Sequence, residues 1–181
     1  MSEADKSEKK PAILEPAGFC APLFPMFISL SGRGVLIAGG GKVALRKAGV
    51  LLRCGARLRV ASPSVEAGFE TVGNAEMIEF TRRSYLTDDM TAPLSDGTPV
   101  TVAVAATDDR NVNAEVASDA AALGIQVNVA DSPGDCTFYF PSFVEHDGFV
   151  AGISSSGRSP SKCRRLAERL RGLWRGWVED V

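Results

Sequence analysis

Six consecutive residues, Gly39-Gly40-Gly41-Lys42-Val43-Ala44, have the types and spacing to hold an anion. A glycine turn between a strand and a helix leaves the helix's first N–H groups unpaired. The helix dipole then adds partial positive charge at the same point. In the G-x-G-x-x-G/A pattern each small residue has its own task. Gly39 allows the tight turn, Gly41 lets the backbone approach a pyrophosphate, and Ala44 lets helix and strand pack closely. Gly39, Gly41, Lys42, Val43 and Ala44 are therefore read as contacts of a dinucleotide cofactor.

Such a turn works only between the right elements. The apolar run 35–38 reads as a buried strand, and residues 42–54 as a helix burying Val43, Ala44, Ala48, Leu51 and Leu52. Arg46, Lys47 and Arg53 fall off that stripe, and Cys54-Gly55 supplies a glycine C-cap. Residues 58–61 form the second strand and Ser62, Pro63 and Ser64 its exit loop. An NAD site usually carries an acid there, bonded to the ribose. Here Ser62 or Ser64 could bond a ribose hydroxyl, and Arg59 could favour a 2′-phosphate, so these residues leave NAD and NADP both open.

Strand and helix continue to alternate. Residues 77–80 read as a third strand and 84–99 as a short helix or loop. The continuous apolar run 100–106 suits a central strand buried on both faces. Asp108 and Asp109 follow as acidic caps of a helix over 111–123, whose packing face is drawn from Ala114, Val116, Ala117, Ala120, Ala121 and Leu123. Gly124 ends it and 125–129 is the next strand. The pattern predicts a doubly wound parallel α/β sheet. Ligands in such sheets lie beyond the carboxyl ends of the strands, which adds Ala106, Thr107 and Asp131 to the same rim.

Past Asp131 the character changes. Residues 137–140 and 149–153 read as a hairpin-like pair, too small to fold alone, that must extend the sheet or pair with another subunit. The run 24–30 is β-prone and is expected along the sheet or over an edge. Ser159-Pro160 starts a helix with Cys163, Leu166, Ala167, Leu170, Leu173, Trp174 and Trp177 on one face. Arg158, Lys162, Arg164, Arg165, Arg169, Arg171 and Arg175 stand against Glu168 alone before Glu179. That concentration fits a surface for a polyanion, in a chain of 181 residues with net charge −2. A recognised nucleic-acid motif or interleaved aromatic platform does not accompany it.

Cys20, Cys54, Cys136 and Cys163 are dispersed without CxxC spacing, and His146 is the single histidine, which argues against a zinc site and for a reducing compartment. No run approaches the ~20 apolar residues of a membrane span, and the charged N-terminus lacks a signal peptide's apolar core. A cytoplasmic protein is expected.

Five segments occur together in order. They are Pro25-Met26-Phe27, the stretch 35–47, Ala105-Ala106-Thr107-Asp108-Asp109-Arg110-Asn111-Val112-Asn113, Asn128-Val129-Ala130-Asp131 and Ser154-Ser155-Ser156-Gly157-Arg158-Ser159-Pro160. In this combination the chain resembles the precorrin-2 dehydrogenase family, the N-terminal part of siroheme synthases. The resemblance spans about residues 22–175. It implies a Rossmann-like doubly wound parallel sheet, a small β dimerisation segment and a short C-terminal helical segment. The expected boundaries are 1–21 for a disordered tail, 22–133 for the Rossmann domain, 134–157 for the dimerisation segment and 158–181 for the helix. It also implies NAD as cofactor, precorrin-2 as substrate, sirohydrochlorin as product and a homodimer; the net charge of −2 suggests no nucleic-acid or membrane partner.

By the same resemblance the key carboxylate falls on Asp131, and Ser155 matches a serine phosphorylated in some siroheme synthases. Ser155, Arg158, Lys162 and Arg165 are the expected contacts of the carboxylate-rich tetrapyrrole, lying between Asp131 and the helix. The stretch after Arg158 has room for little more than one helix. Dehydrogenation is therefore expected, with iron insertion left to another protein. The alternatives are a bifunctional dehydrogenase and ferrochelatase, or a non-catalytic NAD or tetrapyrrole carrier or sensor.

Overall fold

The computed structural model describes residues 23–177. The expected tail at 1–21, Cys20 and the four C-terminal residues lie outside that range. Five strands form one parallel sheet in the order β3-β2-β1-β4-β5. They are β1 (Gly34–Ala38), β2 (Arg57–Ala61), β3 (Ile78–Thr81), β4 (Val100–Ala105) and β5 (Gln126–Val129). Helix α1 (Lys42–Arg53) crosses from β1 to β2, a short α2 (Asp88–Thr91) precedes β4, and α3 (Arg110–Leu123) crosses from β4 to β5. The order reverses between β1 and β4, so the sheet opens a crevice at the carboxyl end of β1.

Alternate residues of the central strands feed two cores. Val35 and Ile37 join Ala44, Ala48 and Leu51 of α1 on one face. Leu36 and Ala38 join Val116 and Ala120 of α3 on the other. All five residues of β1 are buried, the pattern expected of a parallel strand covered on both sides.

Several helix faces differ from the expected ones. Val43 is exposed, while Lys47, assigned to the solvent side, is buried at 4% exposure. On α3 the buried set is Asn113, Val116 and Ala120, and Ala114, Ala121 and Leu123 lie outside it. Of the two expected acidic caps of α3, Asp109 makes the bond and Asp108 does not, and the expected glycine stop is present. Gly124 ends α3 at φ 67°, and the Asp109 carboxylate accepts from the Asn111 N–H at 2.8 Å.

The C-terminal part is a separate two-stranded antiparallel sheet, β6 (Ser142–His146) with β7 (Phe149–Ile153), and helix α4 (Pro160–Trp177) packs on β6. The first arm of the hairpin therefore follows Pro141 instead of preceding it. The reason is local. The Thr137 hydroxyl accepts from the Val127 N–H at 2.7 Å, and the Thr137 N–H donates to the Val127 carbonyl at 2.9 Å. Residues 137–140 thus line the outer side of β5, and the hairpin does not extend the main sheet. Asp147 and Gly148 both have positive φ, the two-residue turn that matches strand twist. On α4, Cys163 and Ala167 are buried, whereas Leu166 and Leu173 are each 53% exposed. Residues 23–29 form no strand and are exposed, with Phe24 at 88%, so they neither join the sheet nor cover an edge.

Candidate functional site

The three glycines obey different constraints. Gly39 has φ 120°, and a Cβ there would overlap the Ala106 carbonyl. A Cβ on Gly40 would run into the Ser64 carbonyl and the Ser62 hydroxyl. Backbone bonds fix both: Gly39 N–H to Ala61 O at 2.9 Å, and Glu66 N–H to Gly40 O at 2.8 Å. Gly41 is the opposite case. It is the N-cap of α1 at φ −80°, makes no side-chain cap, and a Cβ there would meet nothing within 4 Å. Space for a ligand therefore opens beside Gly41, where the first-turn amides of α1 have no helical partner. Ala44 is fully buried beneath this turn and serves helix–sheet packing.

That space is a cleft of about 910 Å³. Its walls are residues 39–43, the loop 61–67 after β2, Ser84 and Tyr85 after β3, and residues 106–109 with Val112 after β4. It thus gathers Gly39, Gly41, Lys42, Val43, Ser62, Pro63, Ser64, Ala106 and Thr107. Ser62 is nearly buried, and its hydroxyl donates to the Ser64 carbonyl at 2.6 Å, which holds the loop in shape over Gly40. Tyr85 is buried, and its hydroxyl donates to Asp119 at 2.8 Å. Burial and that carboxylate push the Tyr85 phenol well above its ordinary range.

Arg59 takes no part in the cleft. Its guanidinium donates to Glu79 at 2.5 Å and to the carbonyls of Asp89, Ala92 and Pro93 at 2.9, 2.7 and 2.6 Å. It staples the end of α2 to β2 and β3, so it is not available to a 2′-phosphate.

Asn113 ties the rim together. Its Oδ1 accepts from the Thr107 N–H at 3.1 Å and lies 2.8 Å from the Thr107 hydroxyl. Its Nδ2 donates to the Thr107 carbonyl at 3.1 Å and to Asp131 Oδ1 at 2.9 Å. Both ends of the amide are thereby assigned, since a carboxylate can only accept and a backbone N–H only donate. Asp131 is exposed and outside the cleft walls, but this amide connects it to Thr107 on the wall. Asp108 and Asp109 line the cleft directly. Asp109 caps α3, and Asp108 has no side-chain partner among the described residues.

A second polar cluster lies under α1. Lys47 Nζ donates to Asn128 Oδ1 at 2.5 Å and sits 5.6 Å from the Phe140 ring centre. Burial lowers the Lys47 ammonium to about 8, against a smaller opposing effect of Cys136. Asn128 in turn donates to the Phe138 carbonyl at 3.0 Å. The cluster bonds α1, β5 and the segment 136–140 to one another.

The remaining expected contacts stand apart from the cleft. Ser155 is half-buried; its hydroxyl accepts from the Ser159 N–H at 2.8 Å and its carbonyl from Arg158 Nε at 3.2 Å, which shapes the entry into α4. Arg158, Lys162 and Arg165 are exposed on α4 or just before it. None of these four residues lines the cleft.

The sequence alone assigns no separate role to Gly40, Asn113 or Glu66. Gly40 carried a signal, being the middle of three glycines beside a Ser-Pro-Ser loop. Asn113 carried another, a polar residue in register with Val116 and Ala120 on the buried side of α3. Glu66 carried none.

A family model described as NAD(P)-binding matches residues 26–142, most of the chain. The chain belongs to this family. It is 42% identical over 146 residues to a siroheme synthase of Stutzerimonas stutzeri, which covers 81% of this chain and 30% of that protein. A siroheme synthase of Psychrobacter cryohalolentis is 42% identical over 154 residues, covering 83% and 27%. The chain thus spans under a third of these relatives' length. A solved structure of SirC, precorrin-2 dehydrogenase, superposes with a TM-score of 0.64 at 27% identity, over 83% of this chain and 70% of that one. The resemblance to the precorrin-2 dehydrogenase family rests on these matches as well as on the motifs. The cleft fits the nicotinamide cofactor that such membership implies, because Gly41, the only one of the three turn glycines with open space beside it, stands at the unpaired amides of α1.

Proposed function

We propose that the chain oxidises precorrin-2 to sirohydrochlorin, with NAD as hydride acceptor, in siroheme biosynthesis. The observation that carries this reading is the open space at Gly41, in a fold that superposes on a precorrin-2 dehydrogenase. The amides after Gly41 hold the pyrophosphate, and the loop at Ser62, Pro63 and Ser64 borders the adenosine. Ala106 and Thr107 border the far half of the dinucleotide. The cofactor accepts the hydride; the protein must orient the tetrapyrrole and receive the proton that leaves with it.

Asp131 is assigned as the carboxylate that takes this proton. Asn113 holds one of its oxygens, and the other has no hydrogen-bond partner among the described residues. Asp108 is a second reading, favoured by its place on the cleft wall. Ser155, Arg158, Lys162 and Arg165 are assigned to the substrate's carboxylates. NAD is preferred over NADP because the charged residues lining the cleft are Lys42 against Glu66, Asp108 and Asp109, and Arg59 is engaged elsewhere. The apolar surface of Phe149, Val150, Leu166 and Leu173 supports a homodimer. A cytoplasmic location is part of the same proposal; no described helix is long and apolar enough to cross a membrane.

Anaerobic mixing with precorrin-2 and NAD tests the reading. NADH absorbance should rise in step with sirohydrochlorin. A tetrapyrrole complex that forms without NADH would mark a carrier instead. Adding ferrous iron afterwards should leave the product metal-free over the time of the oxidation; rapid insertion would make the chain bifunctional.

A further inference from the structure

An acid near the end of the second strand normally binds the adenosine ribose, and a cation nearby normally admits a 2′-phosphate. Residues 61–63 supply neither, and Arg59 is spent on Glu79 and three carbonyls. The loop continues, however, and Glu66 lines the same cleft. Its N–H donates to the Gly40 carbonyl at 2.8 Å, so its backbone is pinned to the glycine turn. It stands at the start of the 3-10 turn Ala67–Glu70 yet makes no side-chain cap there. Its carboxylate has no hydrogen bond or ion pair among the described residues. A half-buried acid fixed at the backbone, beside a ligand cleft and engaged with nothing else, is suited to accept hydrogen bonds from a ligand.

We propose that Glu66 sets the cofactor choice of this cleft, accepting from the ribose hydroxyls of NAD and repelling the 2′-phosphate of NADP. The proposal rests on the reading of the cleft as a dinucleotide site. A ribose diol offers two donors, which a carboxylate can accept together. A 2′-phosphate offers only acceptors and brings a charge of about −1.5 to −2. The acid thus sits five residues later than the end of β2, carried there by the loop that crosses Gly40.

Calorimetric titration of the whole chain with NAD and, separately, NADP provides the test, with thermal melts to check folding. The wild type should bind NAD more tightly. Glu66→Gln and Glu66→Ala should each weaken NAD about 10-fold, the scale of a lost charge-assisted hydrogen bond, and narrow the ratio between the cofactors. Glu66→Lys should reverse the preference. Gly41→Val, whose side chain enters open space, should weaken both cofactors equally. If Gly41→Val loses both while every Glu66 variant keeps the wild-type ratio, the role of Glu66 is overturned and the cleft reading stands. A wild type that binds neither dinucleotide overturns both.

Discussion

The glycine turn and the hairpin–helix unit are built on opposite principles. Around residues 39–44 the Gly39 N–H and the Gly40 carbonyl are bonded to the end of β2 and the loop after it, two of three glycines have no room even for a methyl group, and the first-turn amides of α1 are left for a ligand. The cleft walls all come from residues 39–112. In β6, β7 and α4 the secondary structure is regular, but large apolar side chains remain in water: Phe149 at 54%, Leu166 and Leu173 at 53%. Those residues obey helical or strand spacing without a core to receive them. The contrast separates a cleft shaped by folding from an apolar surface that the proposed dimer would cover.

Within the turn itself the contrast can be broken most sharply. Gly40→Val should lower unfolding stability by more than about 4 kcal/mol, because the carbonyl of Ser64 occupies the new side chain's position. Gly41→Val should change stability by less than about 1 kcal/mol while abolishing NAD binding. Urea melts and calorimetry would distinguish them; equal destabilisation of the two variants would refute a functional reason for Gly41. Next in size, Asp131→Ala should reduce turnover about 1,000-fold with NAD affinity unchanged, as expected for loss of a proton acceptor. If Asp108→Asn has that effect and Asp131→Ala does not, the proton goes to Asp108.

Lys47 gives a pH signature of the buried half. Its folded value of about 8 lies below the ordinary 10.5, so between those limits the unfolded chain holds more protons than the native one. Its contribution to stability therefore rises with pH over that window, by about 3 kcal/mol. Lys47→Met should flatten this rise in denaturation curves compared with the wild type; parallel curves would contradict a buried ammonium. The smallest effect on folding is expected at the unfinished surface. Leu166→Glu should shift stability by less than about 0.5 kcal/mol, yet convert a dimer to a monomer by light scattering. A dimer that survives both Leu166→Glu and Leu173→Glu would place the interface elsewhere.

Much of the sheet and the turn was legible because one rule sufficed for each. Apolar runs of strand length alternate with helical periods, and glycine spacing marks the turn. The sequence misleads where one residue answers to two neighbours. Lys47 reads as a solvent-facing cation, but Asn128 and Phe140 lie opposite it and offer a carbonyl oxygen and a ring face. Residues 137–140 have strand composition, but the Thr137 hydroxyl claims the edge of β5 and delays the hairpin past Pro141. Glu66 is invisible in one dimension because its position depends on how the loop crosses Gly40. Among the expected substrate contacts, composition shows that charge is concentrated on α4 but contains nothing about where that helix points.

Thr107 follows β4 and Asp131 follows β5, and a single amide, that of Asn113, bonds to both. It serves as a spacer of fixed length between two strand ends. A carboxamide has no soft bond between its oxygen and nitrogen, so the gap it sets cannot be tuned by a rotamer change. Substitution by Asp would retain the size and invert one end, setting two carboxylates against each other. The rim would then lose its calibration before it lost its fold, and a substrate that must meet the cofactor at one distance would report the error as slower hydride transfer with little change in binding.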